Sequence, residues 1–246
     1  MHLINKENMN RSTILTITGG ILLTWLMSSC LDNEVILNAY GDAYILVEMN
    51  GQDTVKGIGF HAFSYYEFKT VEVTVTGNPA LKYNLASYMN YKQDFIWSTP
   101  SDQFSKILPQ TGEYVFKATF TDDQTLDFYD RLTSDYILPP VIKSCTYNLQ
   151  TKEAEVEWEK VKLADAYNVK VMDQTGKLLF VSPTFSNSTT YYAFDTSTKG
   201  WQTSVTLPSG GQKVWVEVNS YLVEDMQDQN ELQCISRTRK EISWGQ

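Results

Sequence analysis

Apolar and polar residues alternate one by one in several windows past Cys30, and no window there sustains a 3.6-residue repeat. The cleanest case is EAEVEWEK. Ala154, Val156 and Trp158 fall on one side, and Glu153, Glu155, Glu157 and Glu159 on the other. Successive side chains of a strand point to opposite faces, so this spacing predicts a half-buried strand with a solvated acidic face. The acids do not suit calcium, because a strand spaces them about 6–7 Å apart on an open face. A calcium ion needs oxygens converging at roughly 2.4 Å.

The same alternation recurs in ADAYNVKVMDQTGKLL, with Tyr167, Val169 and Val171 in phase before an Asp-to-Gly turn. KVWVEVNSYLV puts Val214, Val216 and Val218 inside, and CISRTRKEISW closes the chain. Earlier, TVEVTVTGNP sets Val71, Val73 and Val75 against Glu72, Thr74 and Thr76 and ends at a Gly-Asn-Pro turn. TGEYVFKATFTDDQTLDFYD reads as two strands around an Asp-Asp-Gln turn. The expected fold class is therefore all-β, as two tandem sandwiches. Their boundary falls at ILPPV, since paired prolines stiffen a short linker and cannot donate to a ladder.

The order of proline-led start, Trp strand, A-x-Y-x-V strand and late alternating strand over about residues 139–244 resembles a fibronectin type III domain. It departs from that pattern in SPTFSNSTTYYAFDTSTKGWQTSV, which is longer than usual and has room for an extra hairpin. The G-x-Y-x-F run from Gly112 resembles bacterial immunoglobulin-like domains, in which the tyrosine hydroxyl braces a loop. The resulting division is a leader at 1–29, a tether at 30–34, an immunoglobulin-like sandwich at 35–137 and a fibronectin type III-like sandwich at 138–246.

The one long apolar run changes the picture of where the chain works. A polar start carrying Lys6 and Arg11 leads into STILTITGGILLTWLMSS, the tripartite pattern of a secretory signal. Its strongly apolar part is short for a bilayer span of ~20 residues, the alternative being an uncleaved anchor helix. Ser28-Ser29 before Cys30 resembles the lipobox of bacterial lipoproteins, with Met27 where Leu, Val or Ile is usual. The resemblance implies cleavage before Cys30 and a lipid-bearing (palmitate-type) N-terminus, and LDNE after it resembles the acidic export signal of Bacteroides-type surface lipoproteins. Each buried methylene contributes about 0.8 kcal/mol, so several acyl chains hold firmly. The expected address is the outer membrane, facing the exterior. A solvated tether explains Asp32 and Glu34 equally well.

Charge and chemistry mostly exclude. Across 246 residues the net charge is −9, which repels nucleic-acid phosphate and anionic lipid surfaces. The one histidine after the leader, His61, is expected at an ordinary strand position, and no catalytic or phosphate-binding motif accompanies it. The acids of TDDQTLDFYD (Asp122, Asp123, Asp127, Asp130) and VEDMQDQNE (Glu224, Asp225, Asp228, Glu231) lack calcium-loop spacing and read as solvated turn residues. No metal or cofactor is expected, and no enzyme.

Cys145 and Cys234 are open to two readings, a disulfide in an exported protein or a pair of buried free thiols. The candidate ligand platform is aromatic: Tyr88, Tyr91 and Trp97 in a polar, strand-poor stretch, and Tyr191, Tyr192 and Trp201 in the long middle loop. Such rings serve stacking on sugars or anchoring of protein partners, and otherwise they fill the cores. The expected function is a non-catalytic binding or spacer module, with glycan capture as its specific form. The alternative is a structural or adhesion component binding proteins.

Overall fold

The computed structural model describes residues 37–225 and 228–246, side chains at 225 and 228–230 excepted, so the leader and Cys30 lie outside the described residues. Asn38–Gln246 forms one compact unit of β-sandwich sheets. Seven strands build its first half: β1 (Tyr40–Asn50), β2 (Asp53–Phe63), β3 (Phe68–Val75), β4 (Asn78–Tyr88), β5 (Tyr91–Ser98), β6 (Gly112–Phe120) and β7 (Thr125–Leu132). The second half holds β8 (Ile142–Asn148), β9 (Glu153–Trp158), β10 (Ala166–Met172), β11 (Leu178–Val181), β12 (Phe185–Ser186), β13 (Tyr191–Phe194), β14 (Lys213–Asp225) and β15 (Asp228–Ser243).

Where alternation is sharp, the strands follow it. Ala154, Val156 and Trp158 of β9 are buried while its glutamates stay half-exposed. Val71, Val73 and Val75 line the first core together with Phe60, Phe116 and Phe120. Tyr114 is fully buried, and its hydroxyl donates to the Gln110 carbonyl at 2.6 Å, bracing the loop before β6.

Two stretches differ from expectation. Tyr88–Trp97 is not strand-poor: β4 and β5 form a hairpin whose two-residue turn has Met89 at φ 49° and Asn90 at φ 66°. Both central residues of a type I′ turn need positive φ, which asparagine tolerates and methionine resists, so the turn lacks the usual Asn-Gly signature. The long middle loop makes no hairpin of its own. Its β12 pairs with β10, and its β13 pairs with β9 in the opposed sheet, so the chain crosses from one layer to the other.

Sheet order is β11-β10-β14-β15-β1-β2-β5-β4-β3-β6-β7, with β13-β9-β8 as the second layer of the second half. β4 turns the corner of the first half, pairing with β3 through residues 78–85 and with β5 through 86–88. The link between the halves is a parallel ladder of β1 and β15, pairing Ile45 with Cys234 through Glu48 with Arg237. An open edge strand exposes unpaired N–H and C=O groups, and here the last strand of the second half is covered by the first strand of the other. Buried Gln233 straps the linker to this junction. Its Oε1 accepts from the Thr133 N–H and hydroxyl, and its Nε2 donates to the Asp135 carbonyl at 2.7 Å.

Cys145 on β8 and Cys234 on β15 are free, buried thiols, each pushed up to about 12 by burial. A thiol so hard to ionise is a poor nucleophile and packs as a small hydrophobe.

Candidate functional site

The ladder that joins the halves also shapes two clefts, one beside the start of β1 and one beside its end. In β1, Ala43, Ile45 and Val47 point into the core and the even positions point the other way. Cross-strand pairing then sets Tyr40 opposite Phe63, and Asp42 opposite His61. Tyr44 falls opposite Gly59, where an added Cβ would come within 2.3 Å of the tyrosine ring, so only glycine lets that ring lie down on the strand.

Before β15 reaches β1, the edge of β1 is held by β7. The Ala43 N–H donates to Asp130 Oδ2 at 2.6 Å, while Oδ1 accepts from the Arg131 N–H at 2.7 Å. Further along, the Leu232 N–H at the start of the β15 pairing donates to the Asp42 carboxyl at 3.2 Å. Two side-chain carboxyls thus hand the β1 edge from β7 to β15.

Between these groups lies a cleft of about 240 Å³, lined by Tyr40, Asp42, His61, Phe63, Phe128, Tyr129 and Glu231. Phe128 is anchored by stacking on Phe116 at 5.2 Å, and Tyr129 is exposed. His61 Nε2 lies 2.9 Å from Asp94 Oδ1. Asp42 is 6% exposed, and its carboxyl is pushed up to about 9, first by burial and then by Asp130, with Glu224 and Glu231 adding and the Leu232 N–H opposing. Glu224 is raised to about 7 by burial and by Asp130 and Glu231. Asp130 is raised by burial against the pull of its two N–H donors. At neutral pH Asp42 therefore holds its proton, because ionising it would bury a charge beside others of the same sign.

The second cleft, of about 260 Å³, is lined by Glu48, Met49, Trp215, Glu217, Arg237, Thr238 and Arg239. Its charges are matched. Arg237 pairs with Glu48, the Arg239 guanidinium sits 5.3 Å over the Trp215 ring, and Glu217 lies opposite Lys170.

The aromatic residues singled out in the sequence do not meet in one patch. Trp97 packs on Tyr83 at 4.7 Å and on Phe60 at 5.9 Å, at the end of the first core. Trp201 donates its indole N–H to the Asp195 carbonyl and packs against Phe180, Phe194 and Trp244. Tyr192 joins that cluster through Phe185 and Phe180. Tyr91 and Tyr191 are exposed, and Tyr88 is half-buried. Among the turn acids, Asp122, Asp123 and Asp127 are exposed as expected, whereas Asp130 is half-buried and, with Glu224 and Glu231, acts electrostatically on Asp42. The residue that sequence reading missed is Asp42. Its one local signal is an acid in YGDAYILV, where the surrounding alternation leads into a core strand.

No protein-family model and no curated protein matches the sequence. Solved structures similar to it include a two-domain fibronectin type III segment from chicken tenascin, 14% identical, covering 84% of this chain and 97% of that one with a TM-score of 0.29. The 47-kilodalton lipoprotein of Treponema pallidum is 11% identical with a TM-score of 0.35. It covers 81% of this chain, which spans 50% of that protein. The adhesin domain of Epf from Streptococcus pyogenes is 7% identical with a TM-score of 0.28, covering 79% of this chain and 74% of that one.

Proposed function

We propose that this chain is a non-catalytic binding module, lipid-anchored through Cys30 at the outer membrane and facing outward, which captures a glycan in the cleft beside the start of β1. The observation that carries this reading is the cleft itself. Tyr40, Phe63, Phe128 and Tyr129 supply ring surface, and Asp42, His61 and Glu231 supply hydrogen-bonding groups, at a junction between two halves. Concave sites with an apolar lining and a few placed polar groups at such junctions are the usual form of a small-ligand site. Preorganisation comes from the β1–β15 ladder and the Gln233 strap, which limit what binding must order. The acids favour holding over turnover, since Asp42 and Asp130 already accept backbone N–H donors.

A second reading, as a structural or adhesion component, is favoured by the β13-β9-β8 layer, whose outer strands β13 and β8 pair with no further strand among the described residues and can take a partner strand. One experiment separates the two. Glycan-array binding by the mature chain, weakened about tenfold by Tyr129→Ala, supports capture. Stoichiometric recovery of a protein partner with a blank array overturns it. Radiolabelled palmitate incorporation, lost in Cys30→Ala, tests the anchor.

A further inference from the structure

Asn50 is the only asparagine of the chain that is followed by glycine. The pair sits at the tip of the β1–β2 hairpin, where Asn50 is set opposite Asp53 and Gly51 and Gln52 make the turn. Gly51 has φ 62°, the conformation that a type II′ turn asks of its first central residue. Residues 49–53 are all exposed. The Asn50 side chain has no hydrogen-bond partner among the described residues, and the Gly51 N–H donates to no backbone carbonyl among them. Apart from its chain neighbours, nothing comes within 4 Å of the place a Cβ on Gly51 would take, so the Gly51 nitrogen lies in open space. A hairpin tip in solvent frays at little cost, which frees the last pair to leave its extended geometry.

We propose that Asn50 is a site of spontaneous covalent modification, at which the backbone nitrogen of Gly51 converts the side-chain amide through a cyclic imide to aspartate and isoaspartate. Hydroxide takes the Gly51 amide proton and the nitrogen attacks Asn50 Cγ. A C–N bond forms there as the Cγ–Nδ2 bond breaks, and the departing nitrogen takes a proton from water and leaves as ammonia. Water then opens the ring at either of its two carbonyls, and no oxidant or reductant takes part. Two other asparagines precede a small residue, serine. Asn219 is 1% exposed and its Nδ2 donates to Asn168 Oδ1 at 3.1 Å, so β14 holds it in place. Asn187 is exposed, but the side chain of Ser188 crowds the attacking nitrogen.

The product acts on the hairpin in two ways. A carboxylate at position 50 faces Asp53, whose ion-pair partner is Lys106 at 2.7 Å, and like charges directly opposite one another weaken a strand pair. Isoaspartate also adds a methylene to the backbone, so the turn that fixes the register of β1 on β2 is lost. The end of β1 that carries Glu48 to Arg237 is thereby loosened.

Peptide mapping of the full chain after incubation in warm, mildly alkaline buffer, folded and in urea, tests the proposal. The expected result in the folded protein is a gain of one mass unit at Asn50 ahead of every other asparagine, split between aspartate and an isoaspartate that an isoaspartyl-specific methyltransferase labels. Asn50→Gln stays unmodified, because its longer side chain has to close a larger ring. In the modified fraction, amide hydrogen exchange at Glu48 and Val55 quickens about threefold or more, while β6 exchanges as before. Asn50→Asp, which adds the charge on an unaltered backbone, gives a smaller rise. Conversion of Asn50 in urea with the folded chain left intact overturns the proposal, and so does modification of Asn187 ahead of Asn50. Conversion with exchange unchanged at Glu48 and Val55 overturns the loosening of β1.

Discussion

The two clefts that flank β1 have nearly the same volume and a different charge balance. Beside the end of β1, Arg237 neutralises Glu48 and Arg239 covers Trp215, so the lining is complete without a ligand. Beside its start, carboxyls from four strands gather with no arginine or lysine lining the space among the described residues. The size of a cavity therefore says little about its task. What distinguishes the two is how the charges are balanced: by arginine in one, and by protonation and backbone N–H donors at Asp42 in the other.

The most disruptive way to break this comparison is to remove the wall behind one cleft. Phe116 is fully buried and holds Phe128 in a stacked contact, so Phe116→Ala costs about 3–5 kcal/mol in a urea melt, and cleft binding falls with it. Arg237→Ala attacks the other side. It leaves Glu48, which is only 21% exposed at its side chain, without its cation, at a cost of about 1–3 kcal/mol, while sparing the acidic cleft. Asp42→Asn sharpens the contrast through pH. In the native state the Asp42 carboxyl is raised to about 9, whereas in the unfolded chain it ionises near 4. Between those values the native state holds a proton that the unfolded state has lost. Stability is thus full below about pH 4 and declines as pH rises toward 9, by at most about 1.4 kcal/mol per pH unit. Asparagine keeps an acceptor for the Leu232 N–H without the charge. Thermal melts are expected to show the variant equal to the parent near pH 4 and about 1 kcal/mol or more stabler near pH 8. A parent curve flat across that window would remove Asp42 as a buried acid.

Strands with strict alternation were legible from residues alone. In β9 and β6 every inward position reads apolar, and Tyr114 announced its own bracing bond. The β4–β5 hairpin was hidden because Met89-Asn90 turns the chain without glycine. Trp201 looked like an exposed platform in a polar loop. Its ring packs against the core aromatic residues, because the loop lays β13 on one sheet and folds back over Phe180. Trp201→Ala should therefore lower stability rather than ligand affinity alone.

The sequence by itself determined that the chain is all-β, because the side on which a strand residue points depends only on its immediate neighbours. It also determined which side chains of the sharply alternating strands, such as β6 and β9, fill the cores. Only the tertiary structure decided that β15 pairs with β1 across some 190 positions, and that Asp42, Asp130, Glu224 and Glu231 influence one another there. The reason is that edge pairing is made by backbone groups every residue carries. The choice of partner edge, and the cleft that results, leaves no local trace in side-chain pattern.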